Sequence, residues 1–289
     1  MNKDKQQASE KKIAITLDDL PLFDESVALS EVVAINQKML FCLNQHQAPT
    51  TGFVIGSKLE IRSEKNARET ILKFWLEQGH ELGNHTYSHK SIDELGLEAF
   101  KDDVMLGKKA IAKVIRNANS ELSYFRYPYL ITGKNQNVKD QFEKFLDKNN
   151  YIIAPVTMVT SDWAFSKEYV NALNNHNEIE EKKIINNYID FTLRKFQFNE
   201  LIVEKMFGRP ISHIWLLHVN KLHADCFDRL LTSIKEIGYQ FITLKQALED
   251  EVYKTPDTYD GGLGMGSLYR WDVSNFQIID WETEPKLNI

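Results

Sequence analysis

Short apolar runs alternate along most of the chain with longer stretches whose apolar residues recur at helical spacing. The short runs predict buried strands, and the longer stretches predict amphipathic helices. Strands are predicted at residues 12–17, 51–55, 81–83, 123–126, 151–159 (one or two strands), 212–217 and 239–242. Helices are predicted at residues 26–46, 64–78, 93–116, 138–148 and 224–237. This alternation indicates an α/β fold with a parallel sheet and right-handed crossovers, and roughly seven or eight repeats favour a barrel over an open sheet.

Two stretches break the alternation. Residues 166–208 are predicted to form a helical insertion whose charges are typical of a solvent-exposed face. Residues 251–289 are rich in glycine and aromatic residues, without the strand or the Gly-Lys-Ser/Thr sequence that a phosphate-binding loop needs. We therefore expect one barrel domain over residues 11–250, with the insertion at about 166–208. The tail, residues 251–289, is expected to be turn-rich and to pack on the barrel.

Polar motifs stand at or just after the ends of the predicted strands. In a parallel barrel the carboxyl ends of the strands share one face, and catalytic groups gather there. Residues far apart in the sequence are therefore expected to meet in one cleft. In chain order they are Asp18, Asp19, His85, His89, Arg126, Tyr129, Asp162, Trp163, Leu216 and His218.

The pair His85 and His89 is the most informative of these motifs. Two imidazoles four residues apart can direct their nitrogens at one point, and a carboxylate from another strand end completes a three-ligand set. Three protein ligands are typical of a catalytic metal site, because structural zinc sites fill all four positions with protein groups. The set suits Zn²⁺, but Co²⁺, Ni²⁺ and Mn²⁺ also fit, so the sequence leaves the metal open.

The composition narrows the choice of partner. Of 289 residues, 43% are hydrophobic and 26% are charged, which is ordinary for a globular protein. A formal net charge of −6, with no long run of Lys or Arg, argues against nucleic acid. A carbohydrate or a peptide fits better, and the oligomeric state cannot be predicted.

Neither the cellular location nor the redox compartment follows from the sequence. No window approaches the ~18 apolar residues of a membrane helix, and residues 1–10 lack the apolar core of a secretory signal. A cytoplasmic protein and an extracytoplasmic one whose signal was removed both fit. Cys42 and Cys226 are most simply two buried thiols, although a barrel that brings the first and last helices together leaves a disulfide conceivable.

Five short motifs, taken in order, resemble those of the polysaccharide deacetylases, also called carbohydrate esterase family 4 or NodB homology domains. The motifs are Thr16-Leu17-Asp18-Asp19, His85/His89, Arg126-Tyr127-Pro128-Tyr129, Asp162-Trp163 and Leu216-Leu217-His218. The resemblance covers residues 12–248. It implies a distorted (β/α) barrel of about seven strands and a metal-dependent hydrolase that removes acetyl groups from sugars.

The resemblance also implies roles for the metal ligands and the base. Asp19, His85 and His89 are expected to bind the metal, and Asp18 is expected to take the proton of the attacking water. Arg126 is the expected counter-charge of Asp18. Two adjacent aspartates at a strand end are, taken alone, equally typical of an Asx-turn, but the histidine pair favours the catalytic interpretation.

The remaining motif residues are expected to serve the leaving group and the acetyl group. His218 is predicted to be the general acid, with its ring held by Asp162. The backbone N–H of Tyr129 is expected to help hold the oxyanion. Trp163 and Leu216 are expected to form the walls of the acetyl pocket.

The chain departs from the family pattern at two positions. Leu20 replaces a glycine after the aspartate pair, which is expected to restrict that loop and to place a bulky group near the cleft. Tyr127 replaces a common proline.

The leading hypothesis is a deacetylase of N-acetylated amino sugars, as chitooligosaccharide or cell-wall glycan. An O-acetyl esterase acting on xylan would use the same residues. A non-sugar amide hydrolase and a sugar-binding protein that keeps the metal without turnover also stay open, chiefly because of Leu20.

Overall fold

The sheet is a curled, open barrel of parallel strands. The computed structural model describes residues 10–24, 27–118, 120–271 and 284–287. The order of strands in this part is β5-β4-β3-β2-β1-β7-β6, and β8 pairs with the first residues of β1. The strands are β1 (Lys11–Leu20), β2 (Thr50–Val54), β3 (Glu81–Asn84), β4 (Tyr124–Phe125), β5 (Ile152–Ile153), β6 (Met158–Val159), β7 (Ser212–His218) and β8 (Tyr239–Ile242). The predicted distorted (β/α) barrel is confirmed, and it opens between β5 and β6, the two edges of the sheet.

Helices follow the strands and cover the sheet. They are α1 (Leu29–Gln45), α2 (Lys65–Glu77), α3 (Ile92–Leu95), α4 (Leu97–Asn117), α5 (Gln136–Lys148), α6 (Asp162–Asn174), α7 (Glu178–Phe207), α8 (Lys221–Glu236) and α9 (Leu244–Leu248). The single helix predicted at 93–116 is divided by Gly96, whose φ of 79° does not continue a helix. Within the described part of the chain, every helix is too short or too polar to cross a membrane.

The alternation along β1 decides which side chains enter the barrel. Ile13, Ile15 and Leu17 face outward into the main apolar core beneath the helices. Ala14 faces inward and belongs to a separate cluster inside the sheet. Because successive side chains of a strand point to opposite faces, Asp18 lies on the same inner face as Ala14.

The stretch predicted as an insertion contributes to the main core. Tyr169 of α6 and both Tyr188 and Phe196 of α7 belong to the same buried cluster as the helices that flank β1. The expected solvent-exposed charged face holds for Arg194 but not for Lys195, which is buried. The charge of Lys195 gave no sign of this, because burial depends on which face of α7 meets the barrel.

The described part of the tail lies against α7 and the start of β7. Leu268 and Trp271 form a small buried cluster with Val203, Ile211 and Val252. The division into a domain ending at residue 250 and a tail over 251–289 remains a prediction, and part of that tail lies outside the described residues.

Cys42 of α1 and Cys226 of α8 are both buried and unbridged. Burial raises the pKa of the Cys42 thiol to about 12, and it also raises that of Cys226. The simpler interpretation, two buried thiols, therefore describes this structure.

Leu20 does not enter the cleft, contrary to the expectation from its sequence position. Its side chain is completely buried in the main core, beside Gly52 of the neighbouring strand. A Cβ atom on Gly52 would lie 2.6 Å from Leu20 Cδ2, so Leu20 occupies space that Gly52 leaves empty. The positive φ in this loop, 67°, is at Asp19 instead.

Replacement of Leu20 by alanine should therefore lower stability. We expect Leu20→Ala to lower the free energy of unfolding by about 2–5 kcal/mol, as measured by denaturant titration, because it leaves a cavity in a packed core. The matched control is Leu201→Ala on the surface of α7, where the side chain is 62% exposed. This control should change stability by no more than about 0.5 kcal/mol. Equal, small effects of the two changes would contradict the placement of Leu20.

Candidate active site

A cavity of about 650 Å³ lies at the carboxyl ends of the strands. Eight of the ten residues singled out from the sequence line it: Asp18, Asp19, His85, His89, Tyr129, Trp163, Leu216 and His218. The other two, Arg126 and Asp162, are buried behind Asp18 and His218 and hydrogen bond to them. The structure thus brings all ten residues together.

The register between β1 and β7 places Asp18 beside His218. These two residues are paired positions of the parallel ladder. Thr16 and Leu216 are also paired, two residues earlier on each strand and on the same inner face. A carboxylate and an imidazole that are 200 positions apart therefore meet at the end of the same two-strand ladder. A shift of register by one residue would point one of them out of the barrel.

Asp19, His85 and His89 form a compact cluster of donor atoms. Asp19 Oδ1 lies 3.4 Å from His85 Nε2 and 3.2 Å from His89 Nε2. Metal–ligand bonds of about 2.0–2.2 Å in a tetrahedron separate the donors by roughly 3.3–3.6 Å. The observed spacing is thus close to that of ligands around one small cation.

The local hydrogen bonding of the cluster also fits a metal. Asp19 Oδ1 is buried and has no hydrogen-bond partner within the described part of the chain, so its lone pairs are available. The Nδ1–H of His85 donates to the carbonyl oxygen of Arg126 at 2.9 Å, which leaves its Nε2 lone pair for the cluster. Burial lowers the pKa of His89 to about 4, so His89 is neutral, as a metal ligand must be. These residues fit a divalent metal.

Arg126 holds Asp18 in place from inside the barrel. Its guanidinium donates to both carboxylate oxygens of Asp18, at 3.4 and 3.3 Å, and to Thr16 Oγ1 at 3.0 Å. A further bond of 2.8 Å from Nε to the carbonyl oxygen of Ala154 and the underlying ring of Phe53 complete its surroundings. Since Arg126 is 1% exposed, it is a fixed positive charge directed at Asp18.

His218 is held by Asp162 through both its ring and its backbone. His218 Nδ1 lies 3.0 Å from Asp162 Oδ1, and the His218 backbone N–H donates to Asp162 Oδ2 at 2.8 Å. Asn220 donates to Asp162 as well. Burial alone would lower the pKa of His218, but the charge and hydrogen bond of Asp162 raise it to about 9. The imidazole is therefore protonated at neutral pH, with Nε2 available to the cavity.

Left-handed backbone is concentrated around the cavity. Of the nine non-glycine residues with positive φ in the described part, six lie in or directly beside the site. They are Asp19, Thr86, His89, Tyr129, Leu130 and Ser161. Such conformations cost of order 1–3 kcal/mol each, so the surrounding structure must hold them in place.

The three residues predicted to contact the acetyl group lie at the mouth and wall of the cavity. Tyr129 is 58% exposed, and its ring packs on that of His89 with centroids 4.6 Å apart. Trp163 is half-exposed, whereas Leu216 is buried. Their positions are compatible with the predicted contacts, which remain predictions.

The sequence motifs did not predict several residues that line the cavity. Lys195 and Asn199 come from one face of α7, and Tyr269 comes from the tail. Phe23 packs its ring 5.0 Å from that of His218. The i, i+4 spacing of Lys195 and Asn199 was the only signal available, and it does not distinguish a cavity wall from a solvent-exposed face.

The fold and this arrangement of donor atoms define a (β/α) barrel with a candidate metal site at the carboxyl ends of its strands. The sequence model of the polysaccharide deacetylases matches residues 5–146. Residues 5–146, about half of the chain, thus belong to a polysaccharide deacetylase domain.

Curated relatives carry names from the same family. A peptidoglycan-N-acetylglucosamine deacetylase of Bacillus cereus is 24% identical over 233 residues, which cover 81% of this chain and 66% of the relative. A second B. cereus protein of the same name is 33% identical over 108 residues, or 37% of this chain and 43% of the relative. The peptidoglycan deacetylase PgdA of Listeria monocytogenes is 24% identical over 84% of this chain and 39% of its own length. The chain thus spans about two fifths to two thirds of these relatives.

Solved structures share the fold at low sequence identity. A pseudoenzyme of carbohydrate esterase family 4 from Bacillus anthracis matches 83% of this chain and 66% of its own, with a TM-score of 0.56 and 17% identity. The peptidoglycan deacetylase PdaC of Bacillus subtilis matches 86% of this chain and 95% of its own, with a TM-score of 0.53 and 21% identity. These matches support the barrel architecture.

The contact between Asp162 and His218 predicts an unusual titration. In the metal-free protein, NMR of the imidazole should show His218 titrating near pH 9, above the ordinary value of 6.5. Asp162→Asn should lower the pKa of His218, because burial then acts without the carboxylate that opposes it most strongly. Asp225→Asn, a change on α8 outside the cavity, is the control and should leave that pKa unchanged. Titration of His218 near pH 6.5 in the unmodified protein would count against the geometry.

Proposed function

We propose that this protein is a metal-dependent deacetylase of N-acetylated amino sugars, as chitooligosaccharide or cell-wall glycan. The observation that carries the proposal is a three-donor metal cluster in one cavity with a buried carboxylate, Asp18, and a protonated imidazole, His218. Amide hydrolysis at neutral pH needs a base for the water and an acid for the amine. The names of the relatives support the choice of an amino sugar.

The proposed reaction breaks the C–N bond of an acetamide and adds water across it. Asp19, His85 and His89 would hold a divalent metal, which when bound would polarise the carbonyl and acidify the attacking water. Asp18 takes the proton of that water as its oxygen attacks the carbonyl carbon. The Arg126 guanidinium holds Asp18 in its rotamer through hydrogen bonds to both carboxylate oxygens.

His218 completes the reaction by protonating the departing nitrogen. Its Nδ1 is engaged with Asp162, so the proton that it donates is on Nε2. The products are acetate and the free amine of the sugar. A divalent cation nearby would repel this proton and move the pKa of His218 down from about 9. The alkaline limit of activity is therefore expected at or below pH 9.

Tyr129, Trp163 and Leu216 are proposed to orient the acetyl group. The backbone N–H of Tyr129 serves the oxyanion, and one such donor contributes about 3–4 kcal/mol to the transition state. Trp163 and Leu216 offer apolar surface for the methyl group. Zn²⁺ is the metal we propose, since two imidazoles and one carboxylate suit it.

The proposal predicts metal-dependent release of acetate from N-acetylglucosamine oligomers. Chelator-stripped protein should be inactive and should recover with zinc. Asp18→Asn should lower kcat/KM by about 10²–10⁴-fold, because the base is lost while the shape of the side chain is kept. The control is Asp140→Asn, at an exposed position of α5, which should keep full activity. Zinc binding without acetate release would favour the alternative of a sugar-binding protein.

Comparison of amide and ester substrates tests the role of His218. An amine is a poor leaving group unless it is protonated, whereas an alkoxide leaves more readily. His218→Ala should therefore lower the rate on N-acetylglucosamine oligomers more than the rate on acetylated xylan, by about tenfold or more. If both rates fall equally, His218 is not the acid. Acetate from xylan alone would identify an O-acetyl esterase.

A further inference from the structure

A second cluster of metal-ligating side chains lies between α1 and α8, away from the cavity. Cys42 and His46 are four residues apart, at the end of α1 and just after it, so they share one side of that helix. Asp228 reaches them from α8. The donor atoms of the three side chains lie within 4.8 Å of one another. Because α1 runs back toward the start of β2, this cluster is at the opposite end of the barrel from the carboxyl ends of the strands.

His46 is the most enclosed part of this cluster after Cys42, and one of its ring nitrogens faces Asp228. Its side chain is only 10% exposed, and its Nδ1 is buried without a hydrogen-bond partner within the described residues. Its other nitrogen, Nε2, lies 2.9 Å from Asp228 Oδ1. Nε2 and Asp228 Oδ1 are therefore close enough to bind the same cation.

We propose that Cys42, His46 and Asp228 bind a divalent transition metal, of which Zn²⁺ is the best match. Sulfur, imidazole and carboxylate are all zinc ligands, and soft thiolate disfavours Mg²⁺ and Ca²⁺. Three protein groups leave a fourth position for water, and the Asp228 side chain is 79% exposed, so water reaches it.

Metal binding at this site requires the Cys42 thiol to lose its proton. Burial raises the pKa of Cys42 to about 12, so the metal-free protein carries a thiol there. Binding of the cation replaces the thiol proton, which is released to solvent. The metal would then join the first and the last long helices of the barrel through residues 182 positions apart. It would stabilise the closed arrangement of these helices without taking part in hydrolysis.

Cobalt distinguishes this site from the cavity. A cobalt–thiolate bond gives a charge-transfer absorption in the near ultraviolet, and the cavity cluster contains no thiol. The full chain carrying His85→Ala and His89→Ala, stripped of metal, should therefore bind one equivalent of Co²⁺ and show this band. Cys42→Ser in that background should abolish the band. Asp228→Asn, at an exposed position, should weaken cobalt binding by about tenfold or more.

Cys226→Ser is the matched control, since Cys226 is the other buried cysteine and lies on α8. It should retain the band. Absence of the band in the parent variant, or its loss in Cys226→Ser but not in Cys42→Ser, would overturn the proposal. If Cys42→Ser fails to fold by circular dichroism, unchanged cobalt affinity in both Asp228→Asn and His46→Gln would also overturn it. With the cavity intact, Cys42→Ser should keep zinc-dependent acetate release, which separates this site from the proposed function.

Discussion

The buried guanidinium of Arg126 is the constraint on which the arrangement of the site depends. It donates to Asp18 and Thr16 of β1 and to the carbonyl oxygen of Ala154, which follows β5. It therefore connects β1 to the edge of the sheet that β5 forms. Its own carbonyl oxygen fixes the ring of His85. Removing one partner of a buried ion pair typically costs about 3–5 kcal/mol, against a total stability of about 5–15 kcal/mol for a domain. One residue thus couples the stability of the open barrel to the positions of the proposed base and of a metal ligand.

Two contacts between a carboxylate and an imidazole at this cavity differ in their protonation. One supplies an ionised oxygen, and the other supplies a protonated ring. Burial would raise the pKa of Asp19, but the contact with His85 holds it well below its ordinary value, so the cluster has an ionised oxygen to offer. At the other pair, Asp162 keeps His218 protonated despite burial. The proposed mechanism needs both conditions at one pH, and the site provides them because Asp19 lies against His85 and His89 while Asp162 lies against His218.

The walls of the cavity come from parts of the chain outside the five motifs. The sheet opens between β5 and β6, and α7 and the tail lie beside this opening with Lys195, Asn199 and Tyr269 directed into the cavity. An added Cβ on Gly264 would overlap the carbonyl oxygen of Tyr129, which shows how closely the tail approaches that loop. The shape that a substrate meets therefore depends on these segments as much as on the motif residues.

The sequence by itself was sufficient for the order of the elements and for which side chains meet at the strand ends. Periodicity identified β1, β7 and the helices between, because apolar spacing reflects burial directly. His85 and His89, with Asp19, were recognisable because the ligand set is local and its residue types are uncommon together. Arg126 and Asp162 followed from the order of the motifs.

Only the tertiary structure decided the features that depend on which surfaces meet. Leu20 lies in the core because Gly52, on the next strand, leaves room for it. Lys195 lies in the cavity because of the side that α7 turns to the barrel. Cys42, His46 and Asp228 form a cluster because α1 packs against α8. None of these contacts has a local signature, since each joins residues whose separation in the chain says nothing about their separation in space.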